Sequence, residues 1–296
     1  MKKLLAVVAA LMLTASMQAQ DAKTRTIEDG GTGPYRAIMV GDETLQTHTI
    51  FKPADLSAFG KKNPLPVLVW GNGGCANNPR EHINFLNEIA SQGFIVIAIG
   101  PMSAEGEPWA HGSSTSSQLL DAINWITEQN KDKNSQYYNK IDLKNIAAAG
   151  MSCGGLEALD ISADKRLKTI MVCNSGLFNS GNRSTAMPGM PMPEKERLND
   201  IKVPVIYILG GPTDIAYENG MDDFRRINHV PTAACNYPVG HGGTYAQPHG
   251  GEFSVVATAW LKWHLKGDKE AARLFAGEQC PLSQRDSWTI EKKMIP

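Results

Sequence analysis

Between Ile146 and Leu159 the chain reads IAAAGMSCGGLEAL, which sets Gly150-Met-Ser152-Cys-Gly154 between a short apolar run and a helical one. The apolar run is of buried-strand type, and the spacing predicts a helix over 154–164 that starts at once after it. A strand that turns straight into a helix forces the residue at the bend into a strained backbone conformation. Gly150 and Gly154, lacking Cβ, let strand and helix approach closely enough for that bend. The hydroxyl of Ser152 then stands proud of the sheet, with a helix N-terminus behind it to favour developing negative charge. Such a turn commits the surrounding chain to strands that feed helices.

The rest of the sequence keeps that rhythm. Two short strands are expected over 35–40 and 47–51, then buried strands over 67–70, 94–99, 169–172, 203–209 and 232–237. Helices are expected over 80–92, 118–129, 218–227 and 252–265, each with an apolar face. In the 118–129 helix that face carries Leu119, Leu120, Ile123 and Ile126. Strands alternating with helices specify one α/β domain over 20–296, with a mostly parallel central sheet covered on both faces. The C-terminal tail, with Phe275, Cys280, Trp288 and Ile290, is expected to pack back on the body. The segment 174–200 breaks the pattern. Its run Met187-Pro-Gly-Met-Pro-Met-Pro193 reads either as a surface loop or as a flap over an apolar pocket.

Residues 1–19 stand outside this fold. Lys2 and Lys3, the apolar run Leu4 to Leu13 and the small-residue end Ser16-Met-Gln-Ala19 are the parts of a cleaved signal peptide. The apolar run is too short to span a bilayer, and no cysteine near the cut offers a lipid attachment point, so no stable membrane anchor is expected. Without Lys2 and Lys3, two of the 29 basic residues, the balance is 27 basic against 30 acidic. A net charge of about −3 gives no reason to expect nucleic acid as a partner. A secreted or periplasmic location makes disulfides possible. The five cysteines, 75, 153, 173, 235 and 280, leave at least one unpaired within the chain. A bridge through Cys153 would brace the serine turn, and small buried thiols are the equal alternative. No His/Cys spacing resembles a zinc site, so the sequence calls for neither metal nor organic cofactor.

Chemistry concentrates where open α/β sheets put their sites, at the C-terminal ends of strands. Ser152, Asp214 and His241 follow three strands in the order nucleophile, acid, base. A serine hydroxyl becomes nucleophilic when a histidine takes its proton during attack, and the histidine's other nitrogen needs a carboxylate to fix its tautomer. His241 lies between glycines just past the last strand. Its rivals are His48, His82, His111, His229, His249 and His264: His111 and His249 lie in loops that could reach the site, His48 lies on an early strand, and His82 and His264 are expected on helix surfaces. Asp222 and Asp223 read as a solvated helix face and yield to Asp214. An oxyanion needs backbone N–H donors. Cys153 is one candidate; Asn72 or Gly73, in the Gly71-Asn-Gly-Gly loop, supplies the other. Trp109 and Met151 are candidate substrate-binding residues.

The landmarks Gly-Met-Ser-Cys-Gly, Gly-Gly-Pro-Thr-Asp214 and Gly-His241-Gly-Gly make residues 35–265 resemble an α/β-hydrolase-fold serine esterase. Within that superfamily the chain looks closest to secreted dienelactone-hydrolase-like, cutinase-like and polyester-hydrolase-like enzymes. By that resemblance Ser152 matches the nucleophile, Asp214 the acid and His241 the base. The implied activity is hydrolysis of a small-molecule or polymer-borne ester through an acyl-serine intermediate. Two departures bear on substrate. Dienelactone hydrolases proper place cysteine at the elbow, where this chain has serine. Polyester hydrolases carry an aromatic beside the oxyanion glycine, where this chain has Asn72. The competing readings are an acyltransferase or peptidase of the same fold, and a non-catalytic binding protein on a hydrolase scaffold.

Overall fold

A computed structural model describes residues 24–179 and 190–296. The expected signal peptide and Met187 to Gly189 of the Met/Pro run lie outside the described residues. In chain order the strands and helices are β1 (Thr24–Arg25), β2 (Ala37–Val40), β3 (His48–Pro53), β4 (Leu65–Gly71), α1 (Ile83–Ser91), β5 (Ile95–Ile99), α2 (Ser116–Lys131), β6 (Ile141–Met151), α3 (Cys153–Asp160), β7 (Leu167–Cys173), β8 (Val205–Leu209), α4 (Tyr217–Arg226), β9 (Thr232–Asn236), α5 (Gly251–Lys266), α6 (Lys269–Arg273) and β10 (Thr289–Lys293).

All ten strands join one sheet in the order β1-β2-β3-β5-β4-β6-β7-β8-β9-β10. From β5 to β9 the neighbours run parallel, while β1 to β3 on one edge and β10 on the other are antiparallel. This is the α/β-hydrolase fold, with helices on both faces. Strand residues alternate between two cores, as a two-residue side-chain period requires. Val67, Val69, Ile95 and Ile97 pack with Leu119 and Ile123 of α2 and Leu156 and Leu159 of α3. Leu68, Trp70, Val96 and Ala98 pack with Phe85 and Leu86 of α1 and Trp260 and Leu261 of α5.

The chain winds outward from β4 to β5 and then returns past β4 to lay down β6. That reversal leaves a crevice beyond the ends of β4 and β6, the position where open α/β sheets take ligands. Gly71, the last residue of β4, pairs with Gly150 of β6. The loop after β4 and the serine turn after β6 therefore emerge side by side.

Two expectations change at the elements. The C-terminal tail packs back on the body, as expected, and it also supplies strand β10, paired along its length with β9. Its sequence Thr-Ile-Glu-Lys-Lys carries a single apolar residue, which suits a sheet edge and conceals it from hydrophobic periodicity. The predicted 154–164 helix stops at Asp160, after which the chain continues in turns.

Candidate active site

Ser152 sits at the β6–α3 junction with φ 54° and ψ −115°, a conformation that L residues rarely adopt. Three glycines make the junction sterically possible. A Cβ on Gly150 would lie 2.2 Å from the carbonyl carbon and oxygen of Gly154, and one on Gly154 would lie 2.1 Å from those of Gly71. Hydrogen bonds hold the turn: Ser152 N–H donates to Cys173 O, Gly154 N–H to Asn72 O, and Ser175 Oγ to Ser152 O.

Asp214 follows β8 and His241 follows β9. The Asp214 carboxylate is buried and accepts four hydrogen bonds. Oδ1 takes the Nδ1 proton of His241 at 2.6 Å and the amide of Ala216 at 2.9 Å. Oδ2 takes the amide of Gly210 at 3.0 Å and Nδ2 of Asn174 at 2.8 Å. Burial alone would raise its pKa, yet these donors together hold it below the ordinary carboxylate value. An ionised carboxylate only accepts, so the His241 proton is on Nδ1 and Nε2 is left to accept from Ser152 Oγ, 3.0 Å away. The three side chains form one continuous hydrogen-bonded relay.

Asn174 was not signalled in the sequence. It is the first residue after β7, buried, with φ 42°. Its Nδ2 also donates to Gly240 O at 3.2 Å, and its Oδ1 accepts from Tyr245 Oη at 2.5 Å. Tyr245 in turn packs edge-on against Trp70, His82, Phe85 and Phe253. The acid and the histidine loop are thus tied through one amide to an aromatic cluster in the core. Only a position directly after a strand hinted at a role for Asn174.

The two candidate donor loops are joined covalently. Cys75, in the loop after β4, forms a disulfide with Cys153, the residue after Ser152; Cys173, Cys235 and Cys280 are buried thiols. Gly73 and Cys153 border the cavity in front of Ser152, whose volume is about 710 Å³; its apolar lining includes Met151, Leu156, Phe178, Met190 and Ile215. Asn72 does not border it. Its buried side chain donates to Ile99 O and Ala76 O, so it braces the loop from within. Trp109, expected at the substrate, lines a neighbouring and more polar cavity of about 780 Å³ with Arg80, Glu107 and His111; Gly73, Gly74 and Glu81 border both. Met190 is the described part of the Met/Pro run at the apolar cavity.

Two other assignments are corrected. Asp223 is not on a solvated face. It is fully buried, where it accepts from the amide of Leu177 at 2.7 Å and pairs with Lys195 at 2.5 Å. His82 is not at a helix surface either. It is buried between Trp70 and Tyr245, and burial depresses its pKa to about 3. His264, half-buried against Trp260 and Trp263, is likewise depressed to about 4. His249 lies 3.5 Å from Glu28 and 3.7 Å from Glu88, and it lines a different cavity. Among the described residues no helix is long and apolar enough to cross a membrane.

No curated protein matches the chain in sequence. The family model of the PET hydrolase-like proteins matches residues 77–291, a stretch that contains Ser152, Asp214 and His241. With the hydrolase fold beneath the site and most of its length within that match, the chain is an ester hydrolase that belongs to the PET hydrolase-like family.

Proposed function

We propose that this protein is an exported carboxylic-ester hydrolase working through an acyl-serine intermediate. The observation that carries this reading is the relay in which Ser152 Oγ, His241 and Asp214 stand 3.0 Å and 2.6 Å apart. Ser152 Oγ attacks the ester carbonyl while His241 Nε2 takes its proton. Asp214 keeps Nδ1 protonated and offsets the charge of the imidazolium. The oxyanion is met by the amides of Cys153 and Gly73. Gly73 is preferred to Asn72 because it borders the apolar cavity. The imidazolium then protonates the departing alcohol, and water activated by His241 releases the acid and restores Ser152.

Met151, Leu156, Phe178, Met190 and Ile215 make the cavity suited to an apolar ester group. Asn72 stands where polyester hydrolases carry an aromatic residue, and its side chain is turned inward to Ala76 O and Ile99 O, so small apolar esters are favoured over a polyester. Export rests on the signal peptide and is supported by the Cys75–Cys153 bridge, since disulfides persist in oxidising compartments. N-terminal sequencing of the secreted or periplasmic protein should begin just after Ala19.

Hydrolysis of p-nitrophenyl acetate, butyrate and octanoate tests the chemistry. The mature protein should turn over these esters, fastest on the longer chains. Ser152→Ala should lose activity by about 10⁴-fold or more, together with labelling by a fluorophosphonate. An inert mature protein that also fails to label would remove the triad assignment and favour a binding protein on this fold.

A further inference from the structure

We propose that the Cys75–Cys153 disulfide and the Glu157–Ser114 hydrogen bond together form a positioning frame that sets the spacing of the two oxyanion donors. The inference rests on the acyl-serine reading above. Its starting point is where the bridge lies. Cys153 is itself one donor residue, and Cys75 is two residues beyond the other, Gly73. The bond spans 78 residues of sequence to join these two short loops. A crosslink meant only to restrict the unfolded chain has no need to fall at this point.

Cys75 adds a second observation. Its φ is 50°, in the left-handed region that a residue with Cβ enters at a cost of about 1 kcal/mol or more. Such a conformation persists where the surroundings over-determine it, and here two contacts do so. The disulfide holds the side chain, and the amide of Ser114 donates to Cys75 O at 2.7 Å. Ser114 is fixed in its turn from beneath the serine helix. Its Oγ donates to Glu157 Oε1 at 2.6 Å, and both residues are buried. Glu157 lies one turn into α3, the helix that begins with Cys153. Its second oxygen, Oε2, points to within 2.5 Å of where a Cβ on Gly71 would be. The Cys75 loop is therefore anchored twice to one helix, by a covalent bond at the helix start and, through Ser114, by a hydrogen bond one turn on.

Donors must lie within a few tenths of an ångström of the developing oxyanion, and a displacement near 1 Å costs roughly 10²-fold in rate. Loss of the frame should thus lower kcat and leave KM nearly unchanged, since ground-state binding is made elsewhere in the cavity.

The test compares wild type, Cys75→Ala and Ser114→Ala on p-nitrophenyl butyrate, each at least 10 °C below its own melting point. Phe275→Leu, a core change remote from the serine turn, serves as the stability control. Thiol titration of the denatured wild type should count three thiols among the five cysteines; a count of five would overturn the proposal. Cys75→Ala is expected to lose about 10- to 100-fold in kcat, with KM within roughly threefold. Ser114→Ala, which keeps the disulfide, should lose about threefold to tenfold in kcat, and it decides the matter if Cys75→Ala does not fold. Phe275→Leu should keep kcat within roughly twofold. A Cys75→Ala enzyme with wild-type kcat, or a folded Ser114→Ala enzyme with wild-type kcat where the first cannot be made, would overturn the frame and leave the esterase reading standing. A wild type that neither hydrolyses the ester nor labels at Ser152 would overturn the esterase reading itself.

Discussion

On the β4–β6 side of the site, Ser152 is held by contact and covalent bond: glycine backbones meet where no side chain fits, and Cys75 is bonded to Cys153. On the β8–β9 side Gly210 also lies close against Gly240, but no covalent link joins the loops, and the Asp214 and His241 side chains themselves are fixed by hydrogen bonds through Ala216, Gly210 and Asn174. The difference follows from what each half must do. The nucleophile and the oxyanion donors keep one geometry through the reaction, so steric locking suits them. The acid–base pair must accommodate a proton that moves, and a network of donors around a carboxylate stabilises charge while its geometry stays adjustable. The first half should respond to volume, the second to polarity.

The polar half should give the largest single effect. Asp214→Asn preserves shape but removes the charge and replaces an acceptor with a donor opposite His241 Nδ1. The wrong imidazole tautomer is then favoured, and kcat should fall by about 10³- to 10⁴-fold, measured on p-nitrophenyl butyrate at neutral pH. A loss below tenfold would mean that another group orients the histidine. In the steric half, Gly154→Ala places a methyl 2.1 Å from the Gly71 carbonyl, with no flexible side chain to yield. Strand and turn must separate, and kcat should fall by about 10²-fold. Overpacking should also cost roughly 1–3 kcal/mol of stability in a denaturant titration. An unaltered melting curve with full activity would show that the close approach is not needed.

Smaller effects separate the acid's own contribution from that of its support. Asn174→Ala deletes one of the four donors to Asp214 and the tie to Gly240 O. It should cut kcat by about tenfold, at roughly 1.4 kcal/mol per decade. With one donor gone, the Asp214 pKa should rise toward its ordinary value. The stability this carboxylate contributes is present above the unfolded pKa near 3.9 and is lost as pH falls through the lower folded value. In the variant the contribution should be smaller and its loss complete at a higher pH, visible in acid unfolding. Tyr245→Phe removes only the hydroxyl on Asn174 Oδ1 and keeps the aromatic packing, so about threefold in kcat is expected, near the worth of one neutral hydrogen bond.

How legible each half was follows from the same contrast. The serine turn announces itself locally, because Gly150, Ser152 and Gly154 answer to strain within five residues of chain. Asp214 and His241 were readable because the sheet topology sends strand ends to one rim, and each follows a strand with glycines beside it. Asn174 carries no such mark: its importance lies in partners 40, 66 and 71 residues away. The pairing of Cys75 with Cys153 was open for the same reason, being fixed by the return of β6 beside β4. Asp223 and His82 were misread as surface residues because periodicity describes one helix at a time. The faces they occupy are covered by other segments, Lys195 and Leu177 over Asp223, and Trp70 with Tyr245 over His82.

The mildest prediction concerns Glu157, a titratable group on the sterically locked half. Burial, opposed by the Ser114 hydrogen bond and reinforced by the Asp160 charge, raises its pKa to about 7. Between the unfolded value near 4.3 and 7 the folded protein holds a proton that the unfolded chain has released. Stability from this group is therefore full below about 4.3 and is lost progressively as pH rises from there to 7. Glu157→Gln keeps an acceptor for Ser114 and is neutral at every pH, so it resembles the protonated carboxyl in both charge and shape. At pH 4, below the unfolded pKa, variant and wild type should melt together, and at pH 5.5 they should differ in kcat by less than about twofold. At pH 8.5 the variant should melt higher, by a margin on the order of 1–3 kcal/mol in unfolding free energy. Identical melting curves across that range would mean that Glu157 stays ionised in the fold, and the steric half would then have to hold a buried charge as well.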